Sequence, residues 1–179
     1  MKIIKQEARD INKIKQRIKS LIESLKVKQH STLIIELSSL CNLSCSFCDF
    51  HSGKIKNLTD QKGIMDEKLY YKIIDDIVNM GYKFKALYYH GWGEPLIQKN
   101  AIKMINYACK KNVANSHILI TNGTLMTETA FDEILESGIT EIRISLDTVD
   151  PDEYIKLKGK DLIHLCWSVV SQKHRRNQQ

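Results

Sequence analysis

A chain of 179 residues with 42% apolar and 27% charged residues has the composition of an ordinary globular domain, long enough to bury one sizeable core. No apolar run nears the ~18 residues of a membrane span, no signal peptide is evident after Met1, and five cysteines in such a chain suit a reducing cytoplasm better than disulfides. Residues 1–30 hold nine Lys/Arg against three Asp/Glu and carry the whole net charge of +6, while residues 31–179 hold eighteen of each, which argues against a nucleic-acid-binding face.

Two regions follow from this: a basic extension, 1–30, and a domain, 31–179. In the extension Ile11, Ile14, Ile18, Leu21, Ile22 and Leu25 recur at helical spacing opposite a lysine face, which predicts an amphipathic helix packed across the bottom of the domain. Leu33–Leu37 reads as a first, buried strand. Cys41, Cys45 and Cys48 follow it directly, and 49–63 is a polar connection. Leu69, Ile73, Ile77 and Met80 give a first helical face, closed at Gly81. Lys85–His90 is a second strand, ending in Gly91-Trp92-Gly93-Glu94-Pro95. Ile97, Ala101, Met104, Ile105 and Ala108 form the next helical face, with Cys109 beside it as a small buried side chain. His117–Thr121 is a third strand, closed by Asn122-Gly123. Thr127 caps a helix carrying Phe131, Ile134 and Leu135. Glu141–Asp147 alternates as a fourth strand, with Arg143 in need of a partner such as Glu36 or Glu141. Asp150-Pro151-Asp152-Glu153 opens a short helix to about Lys158. A last helical pattern over 161–174 includes Cys166 on its apolar face.

Repeated strand–helix alternation predicts an α/β fold with a parallel sheet, in which ligands gather at the C-terminal strand ends. The chemistry-bearing residues fall at those ends. Three thiols spaced C-x3-C-x2-C are soft ligands for a metal or cluster, and three ligands leave a position open. Gly91 and Gly93 allow close backbone approach to a ligand. Glu94 offers a carboxylate to an amine, and Ser145 and Asp147 suit the hydroxyls of a ribose. Trp92, Tyr88, Tyr89 and His90 read as packing residues.

These motifs resemble those of the radical S-adenosylmethionine (SAM) superfamily. Cys41, Cys45 and Cys48, with Phe47 before the last cysteine, match its cluster motif. Gly91–Pro95 resembles the motif that binds the methionine amino group, and Ser145-Leu146-Asp147 resembles the strand-four region near the ribose. Ile120-Thr121-Asn122-Gly123-Thr124 resembles a turn in the branch that often carries SPASM-type auxiliary clusters. The resemblance runs from Leu33 to Lys160 and implies a partial parallel (β/α) barrel, of which about four βα units are present here against six in the family.

It further implies a [4Fe-4S] cluster on the three cysteines, with SAM held by Gly91, Gly93 and Glu94. Phe47 would sit near the adenine, and Asn122, Ser145 and Asp147 would be further cofactor contacts. The implied reaction is reductive cleavage of SAM to a 5′-deoxyadenosyl radical that abstracts a substrate hydrogen. Implied partners are a small electron donor such as a flavodoxin or ferredoxin, and a peptide or protein substrate. With two units fewer, the chain is expected to be a truncated or split protein with little activity alone, completed by another chain or prone to oligomerise. Two readings from other classes stand beside it: a zinc module in which His51 joins the cysteines as Cys3His, and an electron carrier.

Overall fold

The computed structural model describes residues 31–52 and 62–166. The predicted N-terminal helix lies outside the described residues, as does most of the last helical pattern, of which residues 163–166 form a helical turn. Strands β1 (Thr32–Ile35), β2 (Phe84–Tyr89), β3 (Ala114–Thr121) and β4 (Glu141–Ile144) make one parallel four-stranded sheet in the order β1-β2-β3-β4. Helices α1 (Glu67–Asn79), α2 (Ala101–Lys110) and α3 (Glu128–Glu136) link successive strands, and α4 (Pro151–Lys158) follows β4. The fold is therefore the parallel α/β arrangement that the strand–helix alternation predicts, and the partial barrel that the resemblance implies.

Register explains which face is which. Ile35, Tyr89, Leu119 and Ile142 stand side by side across the four strands, and all pack into the core formed with the helices. One residue earlier, Ile34, Tyr88, Ile118 and Glu141 form the opposite row, and none belongs to that core. The period of two thus sends one set of side chains to the helices and the other to the concave face. Buried Tyr70, Ile74, Met104, Ile105, Phe131 and Ile134 supply the helix side of the core.

Four details differ from the sequence reading. The buried stripe of α1 is Tyr70, Ile74 and Ile77, while Leu69 and Met80 are 50% and 59% exposed. The two stripes share Ile77, and Ile73 of the predicted one still packs against the core from the edge of the buried face. On α3, Phe131 and Ile134 are buried and Leu135 faces out. Strand β3 begins at Ala114, ahead of the predicted His117. Strand β4 ends at Ile144: Ser145 still donates its N–H to Thr121 O at 2.9 Å, but Asp147 has φ +63°, a left-handed conformation incompatible with a continuing strand.

The predicted caps at Thr127 and Asp150 hold, accepting from Ala130 N and Glu153 N, and the structure adds Asp66, which caps α1 by accepting from Leu69 N. Cys109 packs against the core, where burial pushes its thiol up to about 12, and Cys166 is fully buried.

Candidate functional site

The cysteine loop leaves β1 and is shaped by backbone contacts from far along the chain. Ser46 donates its N–H to Leu157 O at 2.8 Å and Ser44 to Lys158 O at 3.4 Å, so the C-terminal end of α4 buttresses the loop. Gly159 permits this approach, because a Cβ there would meet Ser44. Buried Leu43 anchors the loop from within, and Cys48 closes a turn by donating its N–H to Cys45 O at 3.0 Å. All three cysteines are free thiols of intermediate exposure. Burial pushes Cys41 and Cys45 above the ordinary thiol range; the Leu43 backbone N–H and, less strongly, the Asn122 side chain pull Cys41 back, and the charge of Lys158 pulls Cys45 back.

The glycine loop after β2 turns around Glu36. Glu36 Oε1 accepts from the N–H of Trp92 and from that of Gly93, the latter at 3.3 Å. A side chain on Gly91 would strike Glu36, and one on Gly93 would strike the backbone of Ser38–Leu40. Both glycines were expected to admit a ligand; the structure shows that each first admits another part of the chain itself. Glu94 N donates to Leu40 O at 2.8 Å, tying the loop down beside the cysteines.

Glu94 is 2% exposed. Its Oε1 accepts from Leu96 N at 3.0 Å and Thr121 Oγ1 at 2.7 Å, and its Oε2 accepts from Asn122 N at 2.7 Å. Burial raises its pKa, against the pull of these three bonds. A carboxylate has about four lone-pair positions, so one remains on Oε2. Glu94 is both a strut between β2 and β3 and a carboxylate with one acceptor position to spare.

The three thiols, Phe47, Gly91, Gly93, Glu94, Asn122 and Ser145 all line one open cavity of about 230 Å³. Asp147 does not line it; its carboxylate forms an ion pair with Lys158 instead. Asn122 lines the cavity with its side chain engaged by Asn42, Thr124 and Cys41. Sequence reasoning missed Lys158. Its side chain is 3% exposed, its Nζ donates to Ser145 O at 2.9 Å, and it sits 5.3 Å over the Phe47 ring. At the end of a helix before Gly159 it reads like any lysine favoured by the helix dipole, and nothing local separates it from Lys156. Trp92 and His90, read as packing, also line the cavity; Trp92 is 60% exposed and stacked on Phe50 at 5.5 Å. Arg143 pairs with Glu141 at 2.6 Å, one of its two predicted partners.

Three thiols that line one cavity are a donor set that fits an iron–sulfur cluster, which takes one thiolate per iron. His51, the fourth ligand of the zinc reading, lines the same cavity, with Nδ1 3.4 Å from Lys62 Nζ.

A parallel half-barrel with three thiols and a glycine–glutamate loop opening into one cavity defines a protein built to hold a cluster beside a small ligand. The chain belongs to the Radical SAM superfamily, whose sequence profile matches residues 35–164. Members use a [4Fe-4S] cluster and SAM. A tungsten-containing aldehyde ferredoxin oxidoreductase cofactor-modifying protein of Pyrococcus furiosus is 29% identical over 79% of this chain and 36% of its own length. A GTP 3′,8-cyclase of a Nostoc species is 24% identical over 83% of this chain and 45% of its own. The chain thus spans less than half the length of either. Among solved structures, anSMEcpe with bound AdoMet and the Kp18Cys peptide superposes with a TM-score of 0.62 at 21% identity, covering 80% of this chain and 40% of that one. Streptococcus suis SuiB bound to its precursor peptide SuiA gives 0.58 at 18% identity, covering 86% and 33%. Among the described residues no helix is long and apolar enough to cross a membrane.

Proposed function

We propose that this chain is the cofactor-binding core of a radical SAM enzyme. Cys41, Cys45 and Cys48 would hold a [4Fe-4S] cluster, and Gly91, Gly93 and Glu94 would hold the methionine end of SAM. The observation that carries this reading is that the three thiols and the carboxylate of Glu94 share one cavity. When bound, the group supplies one electron for reductive cleavage of SAM and so the radical that abstracts a substrate hydrogen; the protein's part is to position it.

Each residue then has a task. The free acceptor position on Glu94 Oε2 takes an N–H of the amino group, while its other bonds keep it from swinging away. Ser145, at the end of β4, lies on the cavity side for the ribose, and Phe47 offers a ring face for the adenine. Asp147 is reassigned from ribose contact to holding Lys158, whose ammonium lies 5.3 Å from the Phe47 ring at the cavity wall.

The electron would come from a flavodoxin- or ferredoxin-like donor in the cytoplasm, where thiols stay reduced. Two superposable structures were solved with peptides, which supports a peptide or protein as the first substrate class to test. The reading is tested by anaerobic cluster reconstitution, iron and sulfide analysis, and chromatography for 5′-deoxyadenosine after adding dithionite and SAM. Brown protein with iron and sulfide in the cluster ratio and SAM cleavage above a protein-free control is expected. Colourless protein that retains zinc would contradict it.

A further inference from the structure

The amide of Asn122 is engaged at both ends. Its oxygen accepts from Thr124 twice, from the backbone N–H at 2.9 Å and from the hydroxyl at 2.7 Å. A backbone N–H can only donate, so it fixes which end of the amide is oxygen. The NH2 end must therefore face the cysteine loop. There Nδ2 donates to Asn42 Oδ1 at 2.9 Å and lies 3.9 Å from Cys41 Sγ, so each of its two hydrogens has an acceptor. Asn42 donates in turn to Thr124 Oγ1 at 2.7 Å, which closes a ring of three side chains. Asn122 is buried and has no hydrogen-bonding group left for another ligand.

We propose that Asn122 is a hydrogen-bond donor to the cluster ligand Cys41, through which the turn after β3 sets the reduction potential of the cluster. This rests on reading the cysteine loop as a cluster site. Reduction adds one negative charge that spreads over the sulfurs, and an N–H aimed at a sulfur stabilises the reduced form more than the oxidised one. Hydrogen bonds to cluster sulfurs are among the main levers on potential. Asn122 is a positioning residue, acting on the electron through Cys41 and not by touching SAM. The ring with Asn42 and Thr124 keeps the donor in place when the loop takes up its cluster.

The test uses the full chain, reconstituted anaerobically and titrated with dithionite and mediators without SAM, with the reduced cluster followed by electron paramagnetic resonance. Asn122→Asp keeps the shape and the oxygen facing Thr124 N–H but removes both amide hydrogens; Asn122→Ala removes the whole group. Both are expected to shift the potential to more negative values, Asp further than Ala because it adds charge beside the sulfur. Variants whose clusters titrate at the unmutated potential would overturn the proposal. So would loss of the cluster in both variants with circular dichroism unchanged, since that marks a role in assembly alone. If the unmutated chain takes up no iron and sulfide, the reading of the site itself fails, and does so before any variant is made.

Discussion

At the scale of single residues, the buried carboxylate of Glu94 is the most constrained group in the site. Both its oxygens accept from backbone N–H groups, one from Leu96 and one from Asn122. In Glu94→Gln, whichever way the amide turns, its NH2 meets a backbone N–H and one buried donor loses its acceptor. Leaving such a group unsatisfied costs about 1–3 kcal/mol, and denaturant unfolding of the variant is expected to show a loss of that order. A loss within error would mean that the carboxylate does not bridge β2 and β3. His117 gives a second prediction. Burial pushes its pKa from 6.5 down to about 4, with Nδ1 2.9 Å from Tyr89 Oη. The unfolded chain therefore binds more protons between these values, so this contribution to stability is complete above pH 6.5 and is lost as the pH falls toward 4. Stability measured at pH 7.5 and 5 should fall less in His117→Gln than in the unmutated chain; an identical fall would contradict the buried neutral imidazole.

At the scale of elements, the two glycines of the loop after β2 predict different outcomes. A Cβ on Gly91 meets the side chain of Glu36, which can move, whereas one on Gly93 meets the backbone of Ser38–Leu40, which cannot. Gly93→Ala is expected to destabilise by the ~1–3 kcal/mol of an overpacked site or more, and Gly91→Ala by less. Adding Glu36→Ala should relieve Gly91→Ala but not Gly93→Ala, read as a double-mutant cycle in denaturant midpoints. Additivity at Gly91 would show that Glu36 does not seat the loop. The elements themselves were legible in the residues, because strand alternation in Glu141–Ile144 and the caps at Thr127 and Asp150 are local signals. The cysteine loop was legible for the same reason. What was not legible depends on residues distant in sequence: that Glu36 fills the space beside Gly91, that Asn122 reaches Cys41, and that Lys158 folds back over the Phe47 ring. The inward stripe of α1 was ambiguous because two faces of that helix carry apolar residues at helical spacing, and only packing chooses Tyr70 over Leu69.

At the scale of the whole molecule, β4 carries no strand on its outer side among the described residues. An unpaired edge of a parallel sheet invites pairing with another chain. The cysteine loop and the glycine loop open into one cavity, where the proposed cluster and SAM would meet. The most direct measurement is the electron paramagnetic resonance spectrum of the reduced, reconstituted chain recorded with and without SAM. A spectrum that changes shape on adding SAM, and does not change in a Glu94→Ala, Gly93→Ala double variant that still holds its cluster, is the predicted result. A spectrum unaltered by SAM in the unmutated chain would contradict it.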